Sequence, residues 1–244
     1  MFQGLHCNQR KNIGMKLFRP KYPSILKFLY PQRVSKINDK HSIYLTFDDG
    51  PIPEVTPWVL DQLVKYNAKA TFFCIGDNVK KHPDIFRRIS NEEHFIGNHT
   101  YNHLNGWKIS NSEYIENTWQ AEEIMIESGN QAKNNKPRTK NSELRTPTYK
   151  LFRPPYGKIK NSQAKQLNKQ GFKIVMWDVI SGDYDQDFSA EKCFNNVIKN
   201  GTAGSIIVLH DSKKAFRNLK ETLPRILAYY SEKGLEFRSL KDVL

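Results

Sequence analysis

Residues 42–51 read SIYLTFDDGP. Six residues, mostly β-branched, aromatic or aliphatic, run without regular polar alternation into two aspartates, a glycine and a proline. A strand buried on both faces reads this way, as in a parallel sheet. The same order recurs outward from it: KATFFCI (69–75), HFIGN (94–98), LFRPP (151–155), FKIVMWDV (172–179), SIIVLH (205–210) and LEFRSL (235–240). Each run is of strand length.

Helical patterns lie between these runs. Residues 55–67 place Val55, Val59, Leu60 and Leu63 on one face, and residues 78–90 do the same with Val79, Ile85, Phe86 and Ile89. Further helices are expected over 112–128, 161–170, 189–200 and 216–234. Strand followed by helix, repeated, means βαβ units and a parallel sheet. About seven units predict an α/β fold, a distorted or incomplete (β/α) barrel. No GxGxxG follows the first strand, which argues against a dinucleotide-binding sheet. Two segments fall outside the repeat. Residues 1–41 read as an N-terminal segment packed on the barrel or partly mobile. Residues 42–244 read as one α/β domain, interrupted by a polar, basic surface insertion at about 128–149.

The chain has 244 residues and a formal net charge of +13. That excess favours a polyanionic partner, whether nucleic acid, a phospholipid surface or an anionic wall polymer, or is a scattered basic surface. Its three cysteines, Cys7, Cys74 and Cys193, form no CxxC pair, so neither a disulfide framework nor a cysteine metal site is expected. No apolar stretch reaches spanning length, and no transmembrane segment is expected. The N-terminus is basic without a long apolar core, so no signal peptide is readable and the sequence reads as cytoplasmic. Met15 is an alternative start. No helix-turn-helix, zinc-finger or RNP pattern is present, so nucleic acid is not an expected partner.

In βα barrels the reacting groups sit at the C-terminal ends of the strands. The polar clusters of this chain fall there: Asp48-Asp49-Gly50-Pro51, His99 to His103, Arg153 to Gly157, Ser181-Gly182-Asp183-Tyr184, and His210-Asp211. His99 and His103 would face one metal if their segment were helical; otherwise they are two polar residues at a helix start. With a carboxylate from another strand they make a donor set common in hydrolytic metal sites. Asp48 and Asp49 resist joint ionisation unless positive charge compensates, which a metal and Arg153 would supply; the alternative is an ordinary DDGP turn. The prolines of FRPPYG stiffen the chain around Arg153 and could expose a backbone N–H to an oxyanion. His210 is suited to proton transfer or is structural.

Taken together, TFDDGP (46–51), HTYNH (99–103), RPPYG (153–157), SGDY (181–184) and LHD (209–211) resemble, in order, the five motifs of the NodB-homology polysaccharide deacetylases, carbohydrate esterase family 4. The resemblance covers residues 42–240. It implies Asp48 as general base and Asp49, His99 and His103 as ligands of a divalent metal, zinc before cobalt or another ion. It implies Arg153 as the residue orienting Asp48, the Tyr156 N–H as oxyanion donor, and His210 as general acid held by Asp183. The implied substrate is a polysaccharide containing N-acetylglucosamine, peptidoglycan or chitin-like. Alternatives are O-deacetylation of acetyl-xylan, hydrolysis of a small amide, and a non-catalytic carbohydrate-binding module. The family usually acts at the cell envelope or outside. Two positions depart from its pattern. Tyr184 stands where tryptophan is usual, and Ile180 where an acidic residue is common. Trp107, Trp177 and Tyr184 could stack on sugar rings, Trp177 alternatively being core.

Overall fold

The structure, a computed structural model, describes residues 18–130 and 148–244. Cys7, Met15 and residues 131–147 of the insertion expected at about 128–149 lie outside the described residues, and residues 128–130 of it belong instead to the last turn of a helix. Helix α1 (Ser24–Leu29) precedes strand β1 (Ser42–Asp48), α2 (Val55–Val64), β2 (Thr71–Cys74), α3 (Gly76–Lys81), α4 (Pro83–Asn91), β3 (Phe95–Asn98) and α5 (Asn111–Asn130). There follow β4 (Leu151–Phe152), α6 (Asn161–Lys169), β5 (Lys173–Ile174), β6 (Val179–Ile180), α7 (Ala190–Ile198), β7 (Ile206–His210), α8 (Phe216–Glu232) and β8 (Glu236–Phe237). Seven strands pair in parallel in the order β5-β4-β3-β2-β1-β7-β6, and β8 pairs with β1. This is the incomplete, distorted barrel expected.

Strand β1 is central and buried throughout. Its side chains alternate between two apolar layers, a period hidden in the sequence because both faces are dry. Ile43, Leu45 and Phe47 pack outward with Val59, Leu60 and Leu63 of α2 and with Leu219 and Leu223 of α8. Tyr44 packs on the other face with Phe73, Leu151, Val175 and Ile206, inside the barrel. Thr46 and Asp48 share that inner face, so the strand delivers its last residue to the barrel mouth.

β5 and β6 are the two ends of the strand path. A backbone brace from the N-terminal segment lies between them. At β5 the Val34 N–H donates to the Ile174 carbonyl at 2.9 Å and the Met176 N–H to the Val34 carbonyl at 2.6 Å, and at β6 the Ile180 N–H donates to the Pro20 carbonyl at 2.8 Å. Buried Asp178 adds a charged tether, accepting from Lys21 and Lys27, each at 2.8 Å.

Three expected elements are corrected. The helix over 78–90 is two helices, broken at His82, because Pro83 disfavours helical backbone at the preceding residue and starts α4 instead. The strand over 151–155 stops at Phe152, since Pro154 and Pro155 have no N–H for a ladder. The strand over 172–179 is β5 and β6 with a break at Val175–Asp178, where carbonyls leave the ladder for another partner described below.

His94 is buried at the start of β3, its Nδ1 accepting the Ala70 N–H at 3.2 Å and its Nε2 without a partner. Burial, aided by Lys69 and Arg88, lowers its pKa from 6.5 to about 4. The unfolded chain therefore binds more protons than the folded one between those values, and stability falls as pH drops through that window. His103 is depressed in the same direction and shares the slope. Denaturant titrations of His94→Gln from pH 7 to 4 are expected to show a shallower pH dependence than the parent; an unchanged slope refutes the assignment.

Candidate active site

Five strand ends meet at the barrel mouth around a cavity of about 630 Å³ lined by Asp48, Asp49, His99, His103, Arg153, Tyr156, Trp177, Tyr184 and His210. β1 and β7 hold Asp48 and His210 as Cα partners on adjacent strands. All eight sequence-predicted site residues except Asp183 line this cavity, and Asp183 touches it through His210.

Arg153 is buried, at 1% exposure. Its Nη1 donates to Asp48 Oδ1 and to Thr46 Oγ1, both at 2.7 Å. Nε donates to the Val175 carbonyl at 3.3 Å and Nη2 to the Met176 carbonyl at 2.9 Å. The plane lies 4.1 Å from the Phe73 ring centroid. These carbonyls are the ones that leave the β5–β6 run, so the strand break satisfies the guanidinium. Burial alone would raise the Asp48 pKa, but the charges of Arg153, His99 and His210 outweigh it and hold the carboxyl below its ordinary value.

Asp49, His99 and His103 each offer a ligand atom, and these lie within 4.8 Å of one another. Asp49 Oδ1 stands 3.3 Å from His103 Nε2 and 3.9 Å from His99 Nε2, buried and with no hydrogen-bond partner among the described residues. An orphaned carboxylate oxygen facing two imidazoles fits a divalent cation of borderline softness. The outward nitrogens are held as metal-binding histidines require. His99 Nδ1 is 2.7 Å from the Arg153 carbonyl and His103 Nδ1 is 3.1 Å from the Tyr156 hydroxyl. Burial lowers the pKa of both rings, His103 to about 4, favouring the neutral form that ligates.

The two histidines do not meet through helical spacing. Residues 99–105 are a loop in which Thr100 and His103 have φ of 65° and 55°. Left-handed backbone at such residues persists only where surroundings enforce it. Here Asn98 Oδ1 accepts the Thr100 N–H at 2.9 Å, Thr100 Oγ1 accepts the Leu104 N–H at 3.1 Å, and Asn117 Oδ1 of α5 accepts the Tyr101 N–H at 2.9 Å. Asp49 itself sits at φ 86°.

Across the cavity, Asp183 grips His210 twice, accepting the His210 N–H and pairing with its Nδ1, both at 2.8 Å. Burial would lower the His210 pKa; Asp183, helped by the more distant Asp49 and Asp48, raises it to about 9. The Tyr184 ring meets the imidazole edge to face at 4.8 Å, so the substituted aromatic still shields the ring. Ile180 lines the cavity. Tyr156 has φ 59° and ψ 9°, with its ring exposed.

Residue-level reading missed three contributors. Thr46 reads as an ordinary strand residue, and the Tyr156 hydroxyl was given no task beside its amide. Asp211 was quoted only within its motif. It is fully buried; its carboxylate accepts the Gly50 N–H at 3.0 Å and the Thr56 hydroxyl at 2.6 Å, while its own N–H donates to the Asp48 carbonyl at 3.0 Å. A Cβ on Gly50 would collide with that carboxylate, which is why only glycine fits after the aspartate pair. Burial, with Asp49 adding to it, pushes the Asp211 pKa up to about 8.

A carboxylate held below its ordinary pKa, an imidazole held above its own, and three donor atoms within 4.8 Å of one another stand together at the mouth of an open βα barrel. Residues 35–175 match the polysaccharide deacetylase family model. The chain is 38% identical over 206 residues to a peptidoglycan-N-acetylglucosamine deacetylase of Bacillus cereus, covering 84% of this chain and 69% of the relative. It is 35% identical over 173 residues to a chitooligosaccharide deacetylase of Azorhizobium caulinodans, covering 71% and 75%. Its backbone is similar to that of the Bc1960 peptidoglycan N-acetylglucosamine deacetylase, with a TM-score of 0.77 and 35% identity over 90% of this chain and 97% of that one. The chain belongs to the polysaccharide deacetylase family and is a hydrolase of carbon–nitrogen bonds in linear amides.

Zinc titration of the apoprotein is expected to show one site that His103→Ala abolishes. Tyr156→Phe, which removes only the hydroxyl beside His103 Nδ1, is expected to weaken zinc roughly tenfold, the low end for outer-shell partners. Unaltered affinity in His103→Ala would reject the triad.

Proposed function

We propose that this protein removes acetyl groups from N-acetylglucosamine residues of peptidoglycan, with zinc held by Asp49, His99 and His103. The relatives named above supply the substrate class. The observation that carries the mechanism is the opposed tuning of two groups across one cavity: Asp48 is kept ionised by Arg153, and His210 is kept protonated by Asp183. Environments that push two titratable groups apart in this way mark the base and the acid.

A divalent cation at the triad supplies a Lewis acid that polarises the acetyl carbonyl and acidifies water. Asp48 accepts a proton as water adds to the acetyl carbon. Arg153 holds that carboxylate in one orientation, through the 2.7 Å bond to Oδ1. The left-handed turn at Tyr156 presents its backbone N–H as donor to the oxyanion, in a cavity partly closed to water. His210 gives its proton to the amide nitrogen, the C–N bond breaks, and acetate and a free amine leave. An amine is a poor leaving group without that proton, so the acid is as necessary as the base.

Acetate release is expected from N-acetylglucosamine oligomers and peptidoglycan, lost with chelator, restored by zinc and abolished in Asp48→Asn. Release from an acetyl ester alone would overturn the amide reading. The acid must be protonated, so kcat is expected to fall as pH rises through about 9. Asp183→Asn weakens the hold on that proton, and its alkaline limb is expected to move to lower pH; an unmoved limb would remove His210 from the acid role.

A further inference from the structure

Helix α1 carries an apolar face left open to solvent. Ile25, Phe28 and Leu29 are 62%, 80% and 54% exposed, and their spacing of three and four residues puts them on one side of the helix. The other side is fixed to the barrel. Leu26 packs against the cluster that holds Phe152, Ile174 and Met176, and the Lys27 ammonium donates to buried Asp178 at 2.8 Å. The apolar side chains therefore stand out from an anchored helix. Beside them an open cleft of about 640 Å³ separates Leu29 and Gln32 from Lys165 and Lys169 of α6.

Charge decides what fits this face. The two stretches that build it, residues 18–38 and 150–177, contain no aspartate or glutamate, and no carboxylate lines the cleft. Lys165 and Lys169 are exposed on successive turns of α6, and Lys36 and Lys173 are exposed in the same two stretches. Asp178, the first acid beyond them, is taken by Lys21 and Lys27. A second copy of this chain would bring the same positive charge to the contact. A six-residue helix, about 9 Å long, also falls well short of the roughly 800 Å² per partner that a stable dimer buries.

Apolar side chains flanked by cations suit the boundary of an anionic bilayer, where rings and aliphatic chains enter the acyl region and ammonium groups meet lipid phosphates. No described helix is long and apolar enough to cross a membrane, so the contact is with its surface. We propose that α1 docks this protein on an anionic phospholipid surface, with Ile25, Phe28 and Leu29 inserting and Lys165 and Lys169 pairing with headgroups. The face adjoins the candidate site through the same piece of chain. Tyr22, just before α1, meets the ring of Trp177 at 5.4 Å, and Trp177 lines the cavity at the mouth. Docking thus holds the mouth close to the lipid.

The test is sedimentation of the full chain with vesicles of equal parts phosphatidylglycerol and phosphatidylethanolamine, against vesicles of phosphatidylcholine alone. Partition to the anionic vesicles is expected to be about tenfold stronger and to weaken as salt rises. Phe28→Ser is expected to weaken it about tenfold, as for one aromatic side chain kept from an apolar phase. Lys165→Gln and Lys169→Gln are each expected to weaken it several-fold. These side chains are exposed, so thermal midpoints are expected to stay unchanged. Val64→Ser, at an exposed apolar residue of α2, is the control and is expected to leave partition unaltered. Absence of partition overturns the proposal. So does partition that Phe28→Ser or the paired lysine substitutions leave unaltered, or an equal loss in Val64→Ser. Light scattering separates the other occupant: a dimer that Phe28→Ser dissolves would assign the face to a second copy and overturn the lipid contact. Acetate release plays no part in this readout, so the docking surface stands or falls apart from the deacetylase reading.

Discussion

The site is organised around one buried ion pair, Asp48 with Arg153. A guanidinium at 1% exposure is tolerable only when its N–H groups find acceptors, and here a carboxylate, a threonine hydroxyl and two backbone carbonyls take four of the five. Breaking such a pair by removing one partner costs about 3–5 kcal/mol, because the other charge stays buried. The constraint runs in both directions. The pair needs β1, β4 and the β5–β6 break in register, and those elements are held in register partly by the pair. The strand interruption between Ile174 and Val179 is thus an adaptation to a buried charge.

A second constraint follows from crowding negative charge at the end of β1. Asp48, Asp49, Asp183 and Asp211 gather near the mouth, and each meets a different compensation. Asp48 has Arg153, Asp183 has His210, Asp49 faces two imidazoles with one oxygen left unpaired, and Asp211 is pushed toward the neutral form. Neighbouring carboxylates cannot all ionise in a dry pocket without such partners. The resulting separation of protonation states lets one cavity hold an ionised carboxylate and a protonated imidazole at the same pH.

The N-terminal segment does more than cover the barrel. Its hydrogen bonds at Val34, to β5, and at Pro20, to β6, bridge the two ends of the strand path, and Lys21 and Lys27 anchor it to Asp178. The same segment then brings Arg19, Tyr22 and Arg33 to the rim, where they extend the cavity beyond the reacting groups. Scaffold and cavity wall are therefore one piece of chain.

Much of this was legible in the residues. Buried runs such as SIYLTF and SIIVLH specify parallel strands because no polar alternation survives when both faces are dry, and the turn chemistry after each run marks where a reacting group can stand. The order of the five motifs, with Asp48, Asp49, His99, His103, Arg153, Asp183 and His210 in them, named the candidate site. Tertiary structure decided what local pattern cannot carry. The pairing of His99 with His103 depends on left-handed backbone enforced by Asn98 and Asn117, not on helical spacing. The split of 172–179 depends on a guanidinium arriving from another strand. Thr46, the Tyr156 hydroxyl and Asp211 gain their tasks only from neighbours 53 to 161 residues away in the chain. The sequence determines which residue types stand at strand ends, because periodicity and turn chemistry are local. Which of them share a proton, a charge or a ligand is set by distances that exist only once the barrel has formed.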